Sequence, residues 1–302
     1  MGHNKLTGWL AAALLLILPL TCAATIELSP RLHQPFLMAF AGGAYLVADW
    51  DSGLLVSHPP GEDPRPIPSP LARFWQPFFL SASRRGLISY DRRRRELIHF
   101  YPDGNLIEST SLTCPGEKLP LDATSTESAT LVLCPDRVLR RGQGEDAFQA
   151  AWTLPGESSA ARLLTGGDSP LVVQLDRHRL ILLKGEGRSE ELSLPEVLDE
   201  LRLLDAALSK RGVVLLATRP GPRPRAYLLL IAPRQGEAVL ISPLFALPVE
   251  DPRRIALASP EVVGVLDLGQ GKIVEFRLPD EAGQPEAESG PPHPGRMGTG
   301  PT

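Results

Sequence analysis

Residues 161 to 194 read ARLLTGGDSPLVVQLDRHRLILLKGEGRSEELSL, and their punctuation decides the fold. Four short runs, Ala161–Leu164, Leu171–Leu175, Leu180–Leu183 and Glu190–Leu194, alternate with turn clusters at Gly166-Gly167-Asp168, Asp176-Arg177-His178 and Gly185-Glu186-Gly187. Runs of this length between Gly and Asp clusters read as strands, because a helix needs a longer uninterrupted stretch. Turns this short can join only antiparallel neighbours. The segment is therefore expected to be a four-stranded antiparallel unit.

The unit recurs along the chain. Extended segments ending in proline occur at Ile26–Pro30, Pro66–Pro68, Lys118–Pro120, Trp152–Pro155, Leu192–Pro195, Phe245–Pro248 and Phe276–Pro279. Proline suits a strand end because it cannot donate to the ladder. Pro30 to Pro279 is 249 residues in six intervals, about 42 each, and a period of roughly 40–50 residues points to propeller arrays of four-stranded blades. The interval after Pro195 repeats the order with Leu201–Leu208, Val213–Thr218, Ala226–Ala232 and Ala238–Leu247. Ser193-Leu-Pro-Glu196 also fits a helix capping box, which predicts a short helix from Pro195 to about Leu201, inserted between units. The second turn of most units carries an aspartate, at Asp49, Asp91, Asp136, Asp176 and Asp267. Asp accepts hydrogen bonds from turn N–H groups, and these residues are read as structural.

The last interval, Pro248 to Pro279, holds only three strands: Ile255–Ala258, Val262–Leu266 and Lys272–Leu278. Thr25–Ser29 is a spare strand at the other end of the sequence. The expected fold is all-β: a six-bladed β-propeller in which the N-terminal strand completes the last blade and removes an exposed sheet edge. The order of apolar strand, Asp, variable turn and Leu- or Ile-bearing strand resembles six-bladed propellers of the NHL, TolB-like and SMP-30 gluconolactonase kind over Thr25 to Pro279. That resemblance implies a fold, and a fold by itself does not specify an activity.

Both termini differ from this middle. Met1–Lys5 is short and weakly basic, Leu6–Leu20 is almost wholly apolar, and Thr21-Cys22-Ala23-Ala24 is a run of small residues. This is the order of a secretory signal peptide, with cleavage expected after Ala24 and a periplasmic or secreted mature chain. The apolar run of about 15 residues is short of the ~20 needed to span a bilayer. Lipidation at Cys22 is an alternative, but Pro19-Leu20-Thr21 departs from the usual lipoprotein pattern. Residues 25–279 are assigned to the propeller. Residues 280–302, rich in Pro, Gly and Glu, are expected to be disordered because they bury too little apolar surface to offset ordering. Cys114 and Cys134 remain after cleavage, and in an oxidising compartment they are expected to form a disulfide.

Chemistry is sparse. HExxH, GxSxG, P-loop and CxxC motifs are absent, and Asp49-Trp-Asp51-Ser-Gly53 lacks the distal acid of a calcium loop. Lactonases of the kind named above hold a divalent cation with Glu, Asp and Asn side chains. The mature chain has a single asparagine, Asn105, so that cage does not carry over. No catalytic residue, metal ligand or cofactor is assigned. The net charge of −4 does not suggest a nucleic-acid binder. The surface signal is arginine: Arg92, Arg93, Arg94 and Arg95 sit in a second turn, and Arg137, Arg177, Arg179, Arg223 and Arg225 sit in or beside equivalent turns. In a propeller these turns share one face, and Arg forks suit carboxylates and phosphates. The expected function is a non-catalytic interaction scaffold with an envelope protein partner or acidic ligand on that rim, and no membrane span after signal cleavage. The alternatives are a periplasmic hydrolase or lactonase with a central-channel site, and a propeller that binds a small ligand or metal.

Overall fold

A computed structural model describes residues 18–19, 22–68, 70, 75–166, 169–185, 187–221, 224–234, 236–241 and 245–278. The chain forms six antiparallel sheets arranged in a ring. Each blade has strands a to d from the centre outward. Blade 1 comprises Pro35–Ala41, Ala44–Asp49, Leu55–His58 and Arg65–Ile67. Blade 2 comprises Pro77–Ser83, Gly86–Asp91, Glu96–Phe100 and Leu106–Ser111. Blade 3 comprises Asp122–Ser125, Ala129–Cys134, Arg137–Gly142 and Gln149–Thr153. Blade 4 comprises Ala161–Leu164, Leu171–Gln174, Arg179–Leu183 and Ser189–Leu192, close to the pattern read from its sequence.

Blade 5 begins with Arg202–Ser209, Gly212–Arg219 and Arg225–Arg234. Its expected fourth strand is split. Glu237–Leu240 pairs with the end of strand c as a hairpin extension, whereas Phe245–Leu247 pairs with its beginning as the true strand d. The predicted helix after Pro195 is a single 3-10 turn, Glu196–Leu198, capped by Pro195 without a side-chain hydrogen bond, so the Ser193–Glu196 box does not form. Leu198 and Leu201 are buried there, and apolar packing decides that segment's path. Lys118–Pro120 is likewise not a strand end. Strand d of blade 2 stops at Ser111, and the following connection contains the 3-10 turn Pro115–Glu117.

Blade 6 takes Pro252–Ser259, Val262–Asp267 and Lys272–Arg277 from the end of the propeller and Cys22–Glu27 from its start. Thr25, Ile26 and Glu27 pair with Val274, Ile273 and Lys272, and Cys22 and Ala24 extend the pairing to Phe276 and Glu275. The expected cleavage point after Ala24 lies within this strand. Leu18–Pro19 makes a two-residue parallel pairing with Phe245–Ala246. The rest of the signal segment and the tail from 280 lie outside the described residues. No described helix is long and apolar enough to cross a membrane.

Six apolar clusters fill the six gaps between neighbouring blades. Strand periodicity explains the sorting, because alternate side chains face opposite sides of a sheet. In strand b of blade 5, Val213, Leu215 and Ala217 pack toward blade 4, and Val214 and Leu216 toward blade 6. A strand buried on both faces reads as a continuous apolar run, as this one does. The Cys114–Cys134 disulfide ties the connection after blade 2 to strand b of blade 3.

Candidate functional site

Each blade runs its d–a connection and its b–c turn to the same end of the ring. Asp49, Asp176 and Asp267 clamp these two elements together, whereas Asp91 bonds within its own turn. Asp49 Oδ2 accepts the backbone N–H groups of His33 (2.7 Å) and Gln34 (2.6 Å), while Oδ1 accepts those of Asp51 (3.1 Å) and Ser52 (2.8 Å). Asp267 does the same with Glu250 (3.0 Å), Asp251 (2.8 Å) and Gly269 (3.1 Å). Asp176 holds Ser159 through its N–H (2.7 Å) and hydroxyl (2.8 Å), and Asp91 holds the N–H groups of Arg93 (2.8 Å) and Arg94 (3.1 Å). Burial pushes the Asp49 carboxyl up, but hydrogen bonds from Ser52, Gln34 and His33 outweigh it and leave the group below its ordinary value. Burial is similarly outweighed at Asp176 by Ser158 and Ser159. Asp136 differs, because it is held down chiefly by its own neighbour, Arg137. The structural reading of these aspartates is therefore visible in their contacts.

The face held by these clamps carries the arginines. Arg92, Arg93, Arg94 and Arg95 form the b–c turn of blade 2, and Arg137, Arg177, Arg179 and Arg225 lie in or beside the corresponding turns of blades 3, 4 and 5. Arg223 lies outside the described residues. Arg95 is 3.9 Å from Glu117 and Arg137 is 2.6 Å from Asp136. Arg179 donates to the Pro155 carbonyl (2.7 Å) and lies 3.3 Å from Glu191. The turns thus spread across four consecutive blades, with part of their charge neutralised locally.

The sequence reading missed the aromatic cluster beside them. Phe36, Trp50 and Phe78 come from blades 1 and 2, with centroids 5.9 Å apart for Phe36–Trp50 and 5.9 Å for Trp50–Phe78. All three are half-buried. Arg92 stacks over Trp50 at 5.4 Å and Arg254 over Phe36 at 4.8 Å. A cavity of about 430 Å³ adjoins them, lined by His33, Gln34, Pro35, Phe36, Trp50, Arg253 and Leu268. The sequence signal was present in Pro35-Phe36 and Pro77-Phe78 at the starts of inner strands, but only ring closure brings them to Trp50.

A second feature lies in the central channel. A cavity of about 190 Å³ is lined by residues of all six inner strands. Its walls mix aliphatic side chains with polar ones, among them Ser81, Asp122, Thr124, Arg162 and Thr165. Asp122 and Asp205 are 1 % and 0 % exposed. Each carboxylate caps the inner strand of the next blade: Asp122 Oδ2 accepts the N–H of Leu163 (2.9 Å), and Asp205 Oδ2 accepts that of Ile255 (2.9 Å). Arg162 Nε lies 3.1 Å from Asp205 and 3.5 Å from Asp122. Burial works against the Arg162 charge, but the two aspartates outweigh it and hold the guanidinium above its ordinary value. Burial pushes the Asp122 carboxyl up, against Arg162 and hydrogen bonds from Ser81, Leu163 and Ala123. Arg254 is pushed down by burial, against the attraction of Asp205. These four residues sit in ordinary strand contexts, so no local sequence signal marked them. Among the described residues, no group of three or more His, Cys, Asp or Glu side chains could hold a metal ion.

No family model matches the chain, and no curated protein does. Solved structures do. Virginiamycin B lyase from Staphylococcus aureus is 13% identical, covering 86% of this chain and 89% of that one, with a TM-score of 0.56. A putative gluconolactonase is 12% identical over 85% and 93% of the two chains, with a TM-score of 0.58. YCF48 bound to a D1 peptide is 12% identical over 85% and 97%, with a TM-score of 0.54. Likeness at this identity shows the shared propeller fold, and the fold-level resemblance read from the sequence stands.

Proposed function

We propose that this protein is an exported, non-catalytic propeller that docks an acidic protein partner on the face formed by its b–c turns. The observation that carries this reading is the half-buried Phe36–Trp50–Phe78 cluster with Arg92 and Arg254 stacked on it. Aromatic and Arg side chains are the types enriched where interfaces concentrate their energy, aromatics for large contact area at low entropy cost and Arg for its many donors and its stacking. The surrounding Arg turns add charge that steers an acidic partner. The Cys114–Cys134 disulfide fits an oxidising compartment. Solved propellers include enzymes, such as the lyase, and a protein holding a peptide.

The test is affinity capture of the tagged mature protein from its native envelope with a crosslinker. A stoichiometric partner retained by an Arg84→Ser variant on the opposite face, but lost with Trp50→Ala and with Arg92–Arg95 replaced by Ser, supports the reading. Capture unchanged by either of the latter variants, or no partner at all, refutes it.

A further inference from the structure

The guanidinium of Arg162 is placed on strand a of blade 4 in a way that interblade stapling does not require. Capping the next blade is done by the carboxylates of Asp122 and Asp205 through backbone N–H groups. Both carboxylates make their nearest approach to Arg162 at Nε, so they grip the stem side of the guanidinium. No hydrogen bond joins Nη1 or Nη2 to a described residue. Arg162 lines the channel cavity, and its side chain is 15 % exposed. The buried Asp205 Oδ1 and Arg162 Nε also lack hydrogen-bond geometry toward any partner, although they are 3.1 Å apart. Donors of a mostly buried guanidinium that lines a cavity are costly unless something accepts from them.

We propose that the central channel binds a small organic carboxylate, held by Nη1 and Nη2 of Arg162. A guanidinium edge offers two parallel N–H donors, which match the two oxygens of a carboxylate. Thr124 and Thr165 line the same cavity with hydroxyls 2.9 Å apart. That mutual bond uses one hydroxyl hydrogen and leaves the other for the ligand. The remaining lining includes Met38, Leu80, Leu208 and Leu257, which suit a short aliphatic tail. At about 190 Å³ the cavity is smaller than the roughly 300–1,000 Å³ of drug-sized sites, so the ligand is small. A monoanion is favoured over phosphate because Asp122 and Asp205 offset the charges of Arg162 and Arg254, which leaves little surplus positive charge for a second negative one. Burial already pushes Asp122 toward its neutral form, which leaves the floor more favourable to one negative charge.

The cavity opens toward the a–b turns, where Ala82 is exposed and Phe40, Thr165, Leu208 and Leu257 are half-buried. That face is opposite the Arg turns, and the variants below leave Phe36, Trp50, Phe78 and Arg92 in place, so this site is tested separately from the docking surface.

The experiment is isothermal titration of the mature protein with butanoate and with 2-methylpropanoate, using butanamide and inorganic phosphate as comparison probes. The expected result is saturable one-to-one binding of a carboxylate, at least ~tenfold weaker for butanamide and lost in Arg162→Gln, with partial retention in Arg162→Lys because Lys keeps the charge and loses the fork. Leu257→Trp, at the half-buried mouth, leaves the buried charges intact and is expected to block binding without unfolding the protein. The proposal is overturned if neither carboxylate binds the wild type, if butanamide binds equally well, if phosphate binds in preference, or if Leu257→Trp and any folded Arg162 variant bind as the wild type does.

Discussion

At the residue scale, single groups hold junctions between elements. Asp49 is the clearest case, because one carboxylate serves backbone donors on both sides of a turn. Replacing it with Ala removes four part-buried hydrogen bonds to a carboxylate, with an expected loss of about 1–3 kcal/mol in all. The sign of its pH dependence follows from its lowered pKa. A carboxyl held below its unfolded value, ordinarily 3.8, contributes stability that is fully present above that value. It is lost as pH falls through the folded pKa. Denaturant titrations from neutral to strongly acidic pH should therefore show stability falling below about pH 4, and the fall should be shallower in Asp49→Asn. Tyr45 and Gly264 form another such pair. The Tyr45 hydroxyl donates to Glu275 at 2.8 Å across the junction of blades 1 and 6, and burial raises its pKa well beyond the usual phenol range. A methyl at Gly264 would sit 2.4 Å from the Tyr45 ring. Gly264→Ala is expected to cost about 1–3 kcal/mol or more by overpacking, read as a lower unfolding midpoint. Gly264 passes in the sequence as one more small residue in a strand, since its constraint comes from a residue more than two hundred positions away.

At the scale of elements, strands were legible and their ends less so. Strand identity follows from two-sided burial, which writes apolar runs such as Val213–Ala217 into the chain. Proline marked most blade ends, because a strand stops where a donor is missing. It misled at Pro120, where strand d had already stopped at Ser111. The capping box at Ser193 also misled: the local helix signal lost to burial of Leu198 and Leu201, which a single 3-10 turn satisfies. The N-terminal strand is the element with most at stake. Ile26 and Leu28 pack on the cluster between blades 1 and 6, and Ser29 N–H donates to the buried His58 Nε2 at 3.1 Å. Deleting residues 25–29 should expose the edge of blade 6 and cost roughly 3 kcal/mol for two partly buried apolar side chains. The expected readouts are a lower midpoint in denaturant and a greater tendency to associate. A variant that keeps wild-type stability would show that ring closure does not depend on this strand.

At the scale of the whole molecule, ring closure places two different surfaces at opposite ends of one barrel of blades. The b–c end carries the Arg turns and the aromatic cluster on which Arg92 stacks, and the a–b end opens the small channel cavity. Docking steered by Arg charge should weaken with salt, since exposed charges are screened over about 8–10 Å at 0.1–0.15 M ionic strength. Partner association measured across a salt series should therefore slow at high ionic strength. An association rate indifferent to salt would assign the contact to the aromatic cluster alone.

The sequence by itself determined the repeat, the six-blade count, the spare N-terminal strand and the pairing of Cys114 with Cys134. Each is written in local periodicity, turn chemistry or a small set of candidates. The Arg turns were also readable, because a repeat assigns equivalent turns to one face. Tertiary structure alone decided that Phe36, Trp50 and Phe78 meet, and that Asp122, Arg162, Asp205 and Arg254 converge at the channel. These residues come from different blades, and no residue's neighbours in sequence carry information about contacts that exist only once the ring has closed.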